Sequence, residues 1–335
     1  MPKEPQIKFA HNQSAHCENG VVSNLMRHQG FEVSEPMVFG IGSGLLFSYL
    51  PFLKVNYAPV FTYRSMPGFI FNKFAKRVGV KMKKEKFKNP AAAKARLDEN
   101  LAKNNPVGLQ VGVYNLVYFP DEYRFHFNAH NMVVYGKQED RYLISDPVME
   151  EVTSLSSKEL EKVRFAKGAF APKGHMYYPT DFPEKLELSK AIVKGIKQTS
   201  RDMTAPVPIV GVKAMRWVAR NIRKWPKKLG PKKANHYLGQ LVRMQEEIGT
   251  GGGGFRYIYA AFLQEASQVL QNEKLMELSK EMTHIGDAWR DFALDASRIY
   301  KNRNAQSGGY EDIAIQLEEI ADREEVFFKT LKKAV

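Results

Sequence analysis

Apolar positions repeat with a helical period at the start of the chain and with a strand period in its middle. Residues 15–29 place valine, leucine and methionine side chains on one helical face, and Gly30 supplies a natural helix end. Further helices are predicted at 66–78 and at 90–103, where Pro90 and an alanine-rich run favour a helix start.

Strand-type sequences follow these helices. Residues 106–118 are rich in β-branched and aromatic side chains. Residues 130–136 and 141–147 are two shorter runs of the same kind, joined by a polar segment, and they predict a β-hairpin. The strand signals end near residues 176–178.

From about Leu186 the apolar period is helical to the end of the chain, and a linker-like sequence precedes it at about 180–187. The sequence therefore predicts an α+β protein with two domains. The expected domains are a mixed domain at 1–182 and an all-helical domain at 183–335. The helices predicted in the second are 236–248, 255–270, 273–300 and 310–333.

Composition narrows the class of protein. The chain has 335 residues, of which 44% are hydrophobic and 26% charged. No apolar run is long enough to span a membrane, and the N-terminal sequence lacks the apolar core of a signal peptide, so we expect a cytoplasmic protein. Cys17 is the only cysteine, which excludes an intramolecular disulfide and a cysteine-rich metal site. We expect no bound cofactor or metal.

The net charge of +14 is concentrated in one segment. Residues 185–235 contain 14 lysines and arginines against two acids. Such a segment indicates an acidic partner, and an acidic carrier protein is the first candidate. An anionic membrane surface, anchored by Trp217 and Trp225, is the second. Nucleic acid is not expected, because no nucleic-acid motif accompanies the charge.

Cys17 lies in the first turn of the first predicted helix. Free backbone N–H groups and the helix dipole stabilise an anion at this place, so a thiolate is favoured there. The adjacent His16 is a poor base for Cys17, because neighbouring helical residues do not face each other. A base must therefore come from elsewhere in the fold.

The predicted hairpin supplies a base. If its two strands pair about the polar turn, Asp146 lies opposite His130. A histidine with a carboxylate beside it is the base-and-orienter part of a nucleophilic triad with Cys17. Each of the three residues also has an ordinary interpretation when it is taken alone. Cys17 could be a small buried side chain, His130 a hydrogen-bonded histidine, and Asp146 the start of a turn.

Two weaker features remain. The glycine run 249–254 precedes a predicted helix, and with Arg256 it is a candidate contact for the phosphate of a carrier arm, although a flexible helix-capping loop explains it as well. Glu35 is a candidate contact for an acceptor amine, with a surface or loop role as the alternative.

The segment AHCENGVVSNLMRHQG, followed by SEPMVFGIGSGLLFSYL, resembles the N-terminal domain of the butirosin-biosynthesis H acyltransferase family, which is similar to papain-like cysteine peptidases. The segment GTGGGGFRYIYAAFLQEA resembles the helical domain usually fused to it. The resemblance implies transfer of an acyl or aminoacyl group from the phosphopantetheine arm of an acyl carrier protein to a small amine, through a Cys17 acyl-enzyme. His130 and Asp146 match its His/Asp pair.

The sequence departs from papain-like enzymes at the oxyanion hole. Those enzymes place a glutamine six residues before the cysteine, and this chain has His11 there. We expect the Cys17 N–H and one side chain to form the hole. Spacing favours His11 and chemistry favours Gln13.

Two other functions remain open on the sequence. A cysteine hydrolase would use the same triad with water as the final acceptor. A non-catalytic scaffold would bind a carrier protein or a membrane through the basic segment.

Overall fold

The computed structural model describes residues 7–302 and 309–335, so residues 1–6 and 303–308 of the two predicted domains lie outside the described residues. The chain forms two compact units. The described part of the first consists of residues 7–38 and 78–187, and that of the second of residues 39–77, 188–302 and 309–335. Each unit has its own buried core.

The helices are numbered in chain order: α1 Cys17–His28, α2 Glu35–Ile41, α3 Phe69–Val78, α4 Pro90–Ala102, α5 Ser157–Arg164, α6 Leu188–Met203, α7 Gly211–Ile222, α8 Trp225–Leu229, α9 Pro231–Glu246, α10 Arg256–Leu270, α11 Glu273–Tyr300 and α12 Tyr310–Lys333. The strands are β1 Leu45–Val55, β2 Ala58–Arg64, β3 Lys81–Glu85, β4 Val107–Val111, β5 His130–Gln138, β6 Arg141–Ser145, β7 Thr153–Ser156 and β8 Met176–Asp181.

The first unit is built on an antiparallel sheet of six strands in the order β3-β8-β4-β5-β6-β7. Apolar side chains from its central strands, including Leu109, Met132 and Ile144, form one core with Leu97 of α4 and Leu160 of α5. Helix α1 packs against β5, β4 and β8. The start of α1 is thereby fixed beside the central strands.

Local sequence explains where these helices begin. The Asn89 side chain accepts from the N–H groups of Ala91 and Ala92 at the start of α4. Ser156 and Glu159 form a reciprocal capping box at the start of α5. His16 caps α1, since its ring accepts from the N–H of Asn19. Cys17 is therefore the first residue of its helix.

The register of the β5–β6 hairpin differs from the predicted one by two residues. Val133 pairs with Ser145, so strict pairing would place Asp146 opposite residue 132. The predicted turn was centred too early, because Gln138 pairs with Arg141 and an irregularity follows Val134. An even offset keeps every side chain on its predicted face, so His130 and Asp146 remain diagonal neighbours on the same face.

The second unit is helical apart from the β1–β2 hairpin. Its core contains Trp289, Phe47 and Tyr63, whose rings pack against one another. Helix α7 packs against β1, and α9 packs against β2. Among residues 7–302 and 309–335, no helix combines the length and apolar character needed to cross a bilayer.

The predicted α+β class with helical C-terminal elements is confirmed, and the predicted helices 273–300 and 310–333 have the observed bounds. Contacts group residues 39–77 with the C-terminal helices, whereas the prediction placed them in the domain 1–182. Their glycine-rich sequence gave no strand signal for β1. Strand β3 was also missed, because its sequence KMKKE is mostly charged and its side chains are largely exposed.

Candidate active site

Cys17 lies at the start of α1 and is 9% exposed. A helix start leaves backbone N–H groups without an intrahelical acceptor, and the Cys17 N–H has no acceptor among the described residues. Gly20, one turn later, lets α1 approach the segment that follows β6, because a Cβ there would lie 2.5 Å from the Pro147 Cβ. Ser14 N–H donates to the Pro147 carbonyl, which ties the same two segments together.

His130 and Asp146 form a buried pair. The His130 Nε2 atom lies 2.6 Å from Asp146 Oδ2, and both side chains are almost completely buried. The other ring nitrogen, Nδ1, is therefore the one left for the hydrogen bond with Cys17. The structure thus brings together the three residues that the sequence singled out.

The electrostatic surroundings favour a protonated His130. Burial by itself lowers the pKa of His130, but the Asp146 carboxylate and Cys17 together outweigh burial and raise the pKa to about 10. His130 therefore carries a proton at neutral pH and lies where it can exchange a proton with Cys17. The edge of the Phe119 ring lies against the His130 ring, with the ring centroids 5.4 Å apart.

Tyr118 is a positioning residue that sequence reasoning missed. Its O–H donates to Asp146 Oδ2 at 2.7 Å, and the Val148 N–H donates to Oδ1 at 3.2 Å. Burial, followed by the Asp146 charge, raises the pKa of Tyr118 well above its ordinary value, so it remains a donor. Tyr118 lies beyond the end of β4, where strand alternation no longer indicates the direction of a side chain.

Asn131 is the second residue that was missed. One hydrogen of its amide group points to the Ala129 carbonyl at 3.1 Å, and Nδ2 also lies 3.9 Å from Cys17 Sγ. The Tyr177 O–H donates to Asn131 Oδ1 at 2.9 Å, which fixes the orientation of the amide. Its place next to His130 in β5 gave no signal, because neighbouring strand residues point to opposite faces.

The two predicted oxyanion donors lie elsewhere. His11 Nδ1 is 2.8 Å from Ser145 Oγ, and Nε2 is 3.1 Å from the Met149 carbonyl, so neither ring nitrogen is left for a substrate. His11 instead braces the segment that holds Asp146. Gln13 is exposed.

Glu35 holds the loop before α1. Its two carboxylate oxygens accept from the N–H groups of Ala15 and His16 at 2.9 and 2.6 Å. Burial raises the pKa of Glu35, and these hydrogen bonds offset part of the rise. Glu35 therefore has a structural role in this loop, and its contact with an acceptor amine stays a prediction.

Arg256 is fully buried, which corrects its expected contact with a carrier phosphate. It forms a bidentate ion pair with Glu324 at 2.8 and 3.0 Å and donates to the Gly254 carbonyl. Its guanidinium also lies over the Trp289 ring. The glycine run before it carries left-handed backbone at positions 251–254, so it shapes the entry to α10.

Part of the basic segment 185–235 is neutralised within the second unit. Arg216 pairs with Asp322 and Glu325, and Arg223 pairs with two glutamates of α12. Trp225 is buried, which corrects its expected role as a membrane anchor, and the half-buried Trp217 packs edge-on against Tyr49. Among the described residues, no group of histidine, cysteine and acidic side chains could hold a metal ion.

Comparison with known proteins gives two family matches. The model described as butirosin biosynthesis protein H, N-terminal, matches residues 16–147, and the model described as a domain of unknown function (DUF4872) matches residues 158–331. No curated protein matches the chain. Among solved structures, the chain is similar to one described as a C39-like peptidase from Bacillus anthracis, with 13% identity and a TM-score of 0.37 over 54% of this chain and 96% of that chain.

The two family matches confirm the resemblance seen in the sequence. The first covers the segment from α1 to the end of the β5–β6 hairpin, including Cys17, His130 and Asp146. In the first unit, a cysteine at a helix start lies beside a sheet that carries a histidine. The model of the domain of unknown function (DUF4872) covers more than half of the chain, so the chain belongs to that family, and its residues 16–147 match the N-terminal domain of butirosin biosynthesis protein H.

Proposed function

We propose that the protein is an acyltransferase that moves an acyl or aminoacyl group from a carrier-protein thioester to an amine through a Cys17 acyl-enzyme. The observation that carries the proposal is the buried His130–Asp146 pair in hydrogen-bond contact with the only cysteine of the chain. A thiolate paired with an imidazolium is a strong nucleophile toward thioesters. The family description names a biosynthetic protein, which favours acyl transfer over breakdown of a substrate.

In the first half-reaction, the Cys17 thiolate attacks the thioester carbonyl and forms a tetrahedral oxyanion. Collapse of this intermediate breaks the bond to the carrier sulfur, and the departing thiolate takes the proton from His130. In the second half-reaction, a neutral amine attacks the acyl-enzyme and His130 accepts its proton. Collapse then releases the amide and restores the Cys17 thiolate.

Asn131 is the side-chain donor that we assign to the oxyanion hole, together with the Cys17 N–H. Its amide nitrogen contacts the Cys17 sulfur, and Tyr177 fixes the orientation of the amide. The oxyanion of the tetrahedral intermediate is on a carbon bonded to Cys17 Sγ, so it forms close to the Asn131 amide. Effective donors lie about 2.7–3.1 Å from such an oxyanion. By contrast, both ring nitrogens of His11 are engaged by other residues, and Gln13 is exposed.

Asn131→Ala is expected to lower kcat by about 10²–10³-fold with little change in KM, because the lost donor acts mainly on the transition state. Steady-state kinetics at saturating carrier measures this effect. Gln13→Ala is the matched control, since it removes an exposed amide and should leave kcat within about threefold of wild type. An unchanged kcat in Asn131→Ala, or a large loss in Gln13→Ala, would reassign the donor.

The acidic carrier remains the proposed partner of the basic segment 185–235, through cations between Lys185 and Lys228 other than Arg216 and Arg223, which already have acidic partners. Its phosphopantetheine arm would deliver the acyl group. Mass spectrometry of the reaction products tests the transfer itself. Incubation with an acylated carrier protein and a panel of small amines should give amide products, with free acid as a minor product.

Hydrolysis is the alternative outcome of this experiment. Free acid formed at the same rate with and without amine would identify a hydrolase. Carrier binding without any turnover would favour a non-catalytic scaffold. The burial of Cys17 and His130 favours transfer, because limited access of water protects the acyl-enzyme.

A further inference from the structure

The end of the β1–β2 hairpin exposes four large apolar side chains. The exposed fractions are 67% for Phe52, 50% for Leu53, 57% for Val55 and 89% for Tyr57. Single exposed apolar residues are ordinary, but four of them within six positions of one hairpin are a patch. A surface of this kind indicates contact with an apolar partner.

The backbone of the hairpin holds these side chains outward. Leu50 pairs with Val60 and Lys54 pairs with Pro59, so residues 51–53 are extra residues that bulge from β1. Asn56 and Tyr57 both have left-handed backbone, with φ of 49° and 63°, as in a tight hairpin turn. The neighbouring β2 residues Ala58 and Pro59 are buried, so the hairpin is anchored on one side.

Lysines surround the exposed tip. Tyr57 lines a cavity of about 510 Å³ together with Lys232, Lys233 and His236 of α9. His236 Nε2 lies 2.7 Å from the Asn56 carbonyl, which ties α9 to the turn. Neither residues 51–63 nor residues 224–240 contain an acid. No ion pair neutralises Lys232 or Lys233 among residues 7–302 and 309–335.

We propose that this surface, the hairpin patch, binds an anionic lipid membrane. It consists of Phe52, Leu53, Val55, Tyr57, Lys232 and Lys233. The apolar side chains would enter the boundary between headgroups and acyl chains, and the lysines would contact the lipid phosphates. This inference goes beyond acyl transfer and does not depend on it.

Other occupants fit the hairpin patch less well. A second copy of the chain would bring two unpaired lysine clusters together, which is unfavourable. Nucleic acid would leave the aliphatic side chains of Leu53 and Val55 without a suitable partner. An acidic carrier protein matches the charge but does not require a protruding apolar tip. An anionic membrane matches both the apolar side chains and the lysines of the hairpin patch.

Co-sedimentation of the full chain with vesicles tests this proposal. The protein should bind vesicles of phosphatidylcholine with phosphatidylglycerol, bind phosphatidylcholine alone much more weakly, and dissociate as salt rises. Lys232→Glu/Lys233→Glu should weaken binding by roughly 30-fold or more. Phe52→Ser/Leu53→Ser should weaken it by at least roughly tenfold.

Matched controls separate the hairpin patch from general charge and apolarity. Lys332→Glu/Lys333→Glu changes the same charge at an exposed pair on α12, and Val326→Ser removes another side chain that is 67% exposed. Both controls should bind vesicles nearly as wild type does. Equal loss in the controls, no vesicle binding, or capture of an acidic carrier protein through the hairpin patch in place of vesicles would overturn the proposal.

Discussion

Cys17→Ser is expected to lower the rate of acyl transfer by about 10⁴–10⁶-fold, because a serine hydroxyl paired with an imidazolium is not ionised and no thiolate remains to attack. Serine is nearly isosteric with cysteine, so the buried contacts around position 17 are retained. Single-turnover kinetics with an acylated carrier measures the loss. Circular dichroism and thermal unfolding check that the variant is folded.

Ser23→Ala is the matched control for this variant. Ser23 lies on the same helix, is buried, and donates its hydroxyl to the Val33 carbonyl at 2.6 Å. Its loss should lower the free energy of unfolding by about 1 kcal/mol while leaving the transfer rate close to wild type. A Cys17→Ser rate within tenfold of wild type would remove Cys17 from the chemistry.

Asp146→Ala is expected to lower the transfer rate by about 10⁴-fold. Three donors meet at the Asp146 carboxylate: His130 Nε2, the Tyr118 O–H and the Val148 N–H. Without it, the imidazole loses its orientation and the charge that holds its proton. The same change should lower the free energy of unfolding by about 3–5 kcal/mol, because buried partners are left unpaired.

A pH profile separates a role in positioning His130 from a loss of stability. The pKa of His130 is raised to about 10, so the protonated form persists at neutral pH and is lost as the pH rises through about 10. Asp146→Asn keeps the shape of the side chain but removes the charge, so the pKa of His130 falls. The alkaline limb of the acylation rate should therefore move to lower pH.

Asp98→Ala is the control for the Asp146 variants. Asp98 also accepts a tyrosine hydroxyl, from Tyr142 at 2.6 Å, but lies apart from the Cys17–His130 pair. Asp98→Ala should lower the free energy of unfolding, but the alkaline limb of the acylation rate should stay at the same pH. If the limb stays in place in Asp146→Asn, the carboxylate does not control the charge of His130.

The sequence was informative about the positions of Cys17, His130 and Asp146 for specific physical reasons. Helix signals placed Cys17 at a helix start, and α1 begins there. The hairpin prediction brought His130 near Asp146 although its register was wrong by two residues, because an even offset preserves the face of every strand residue. An offset of one residue would have placed the two side chains on opposite faces.

Other parts of the site depend on long-range contacts that local patterns do not encode. Spacing favoured His11 as an oxyanion donor, but the fold uses its ring to connect Ser145 and Met149. Asn131 acquires its place only when α1 packs against β5. Tyr118 follows a strand that ends at Val111, so its direction is set by the tertiary fold.

Charge clustering was similarly ambiguous in the sequence. The basic segment 185–235 includes arginines that neutralise acids of α12, a pairing invisible at a separation of about a hundred residues. The hairpin end was missed because the sequence does not show whether an apolar residue is buried or exposed. Exposure, which a sequence does not show, is what distinguishes a surface patch from a buried strand.

The most direct test of the account is intact-mass spectrometry of the protein after incubation with an acylated carrier protein and no amine. The account predicts a mass increase equal to one acyl group, mapped to the peptide that contains Cys17, and released on addition of an amine acceptor. His130→Ala should accumulate the adduct far more slowly, and Cys17→Ser should form no thioester adduct. An acyl group on another residue, or the same adduct in Cys17→Ser, would contradict the account.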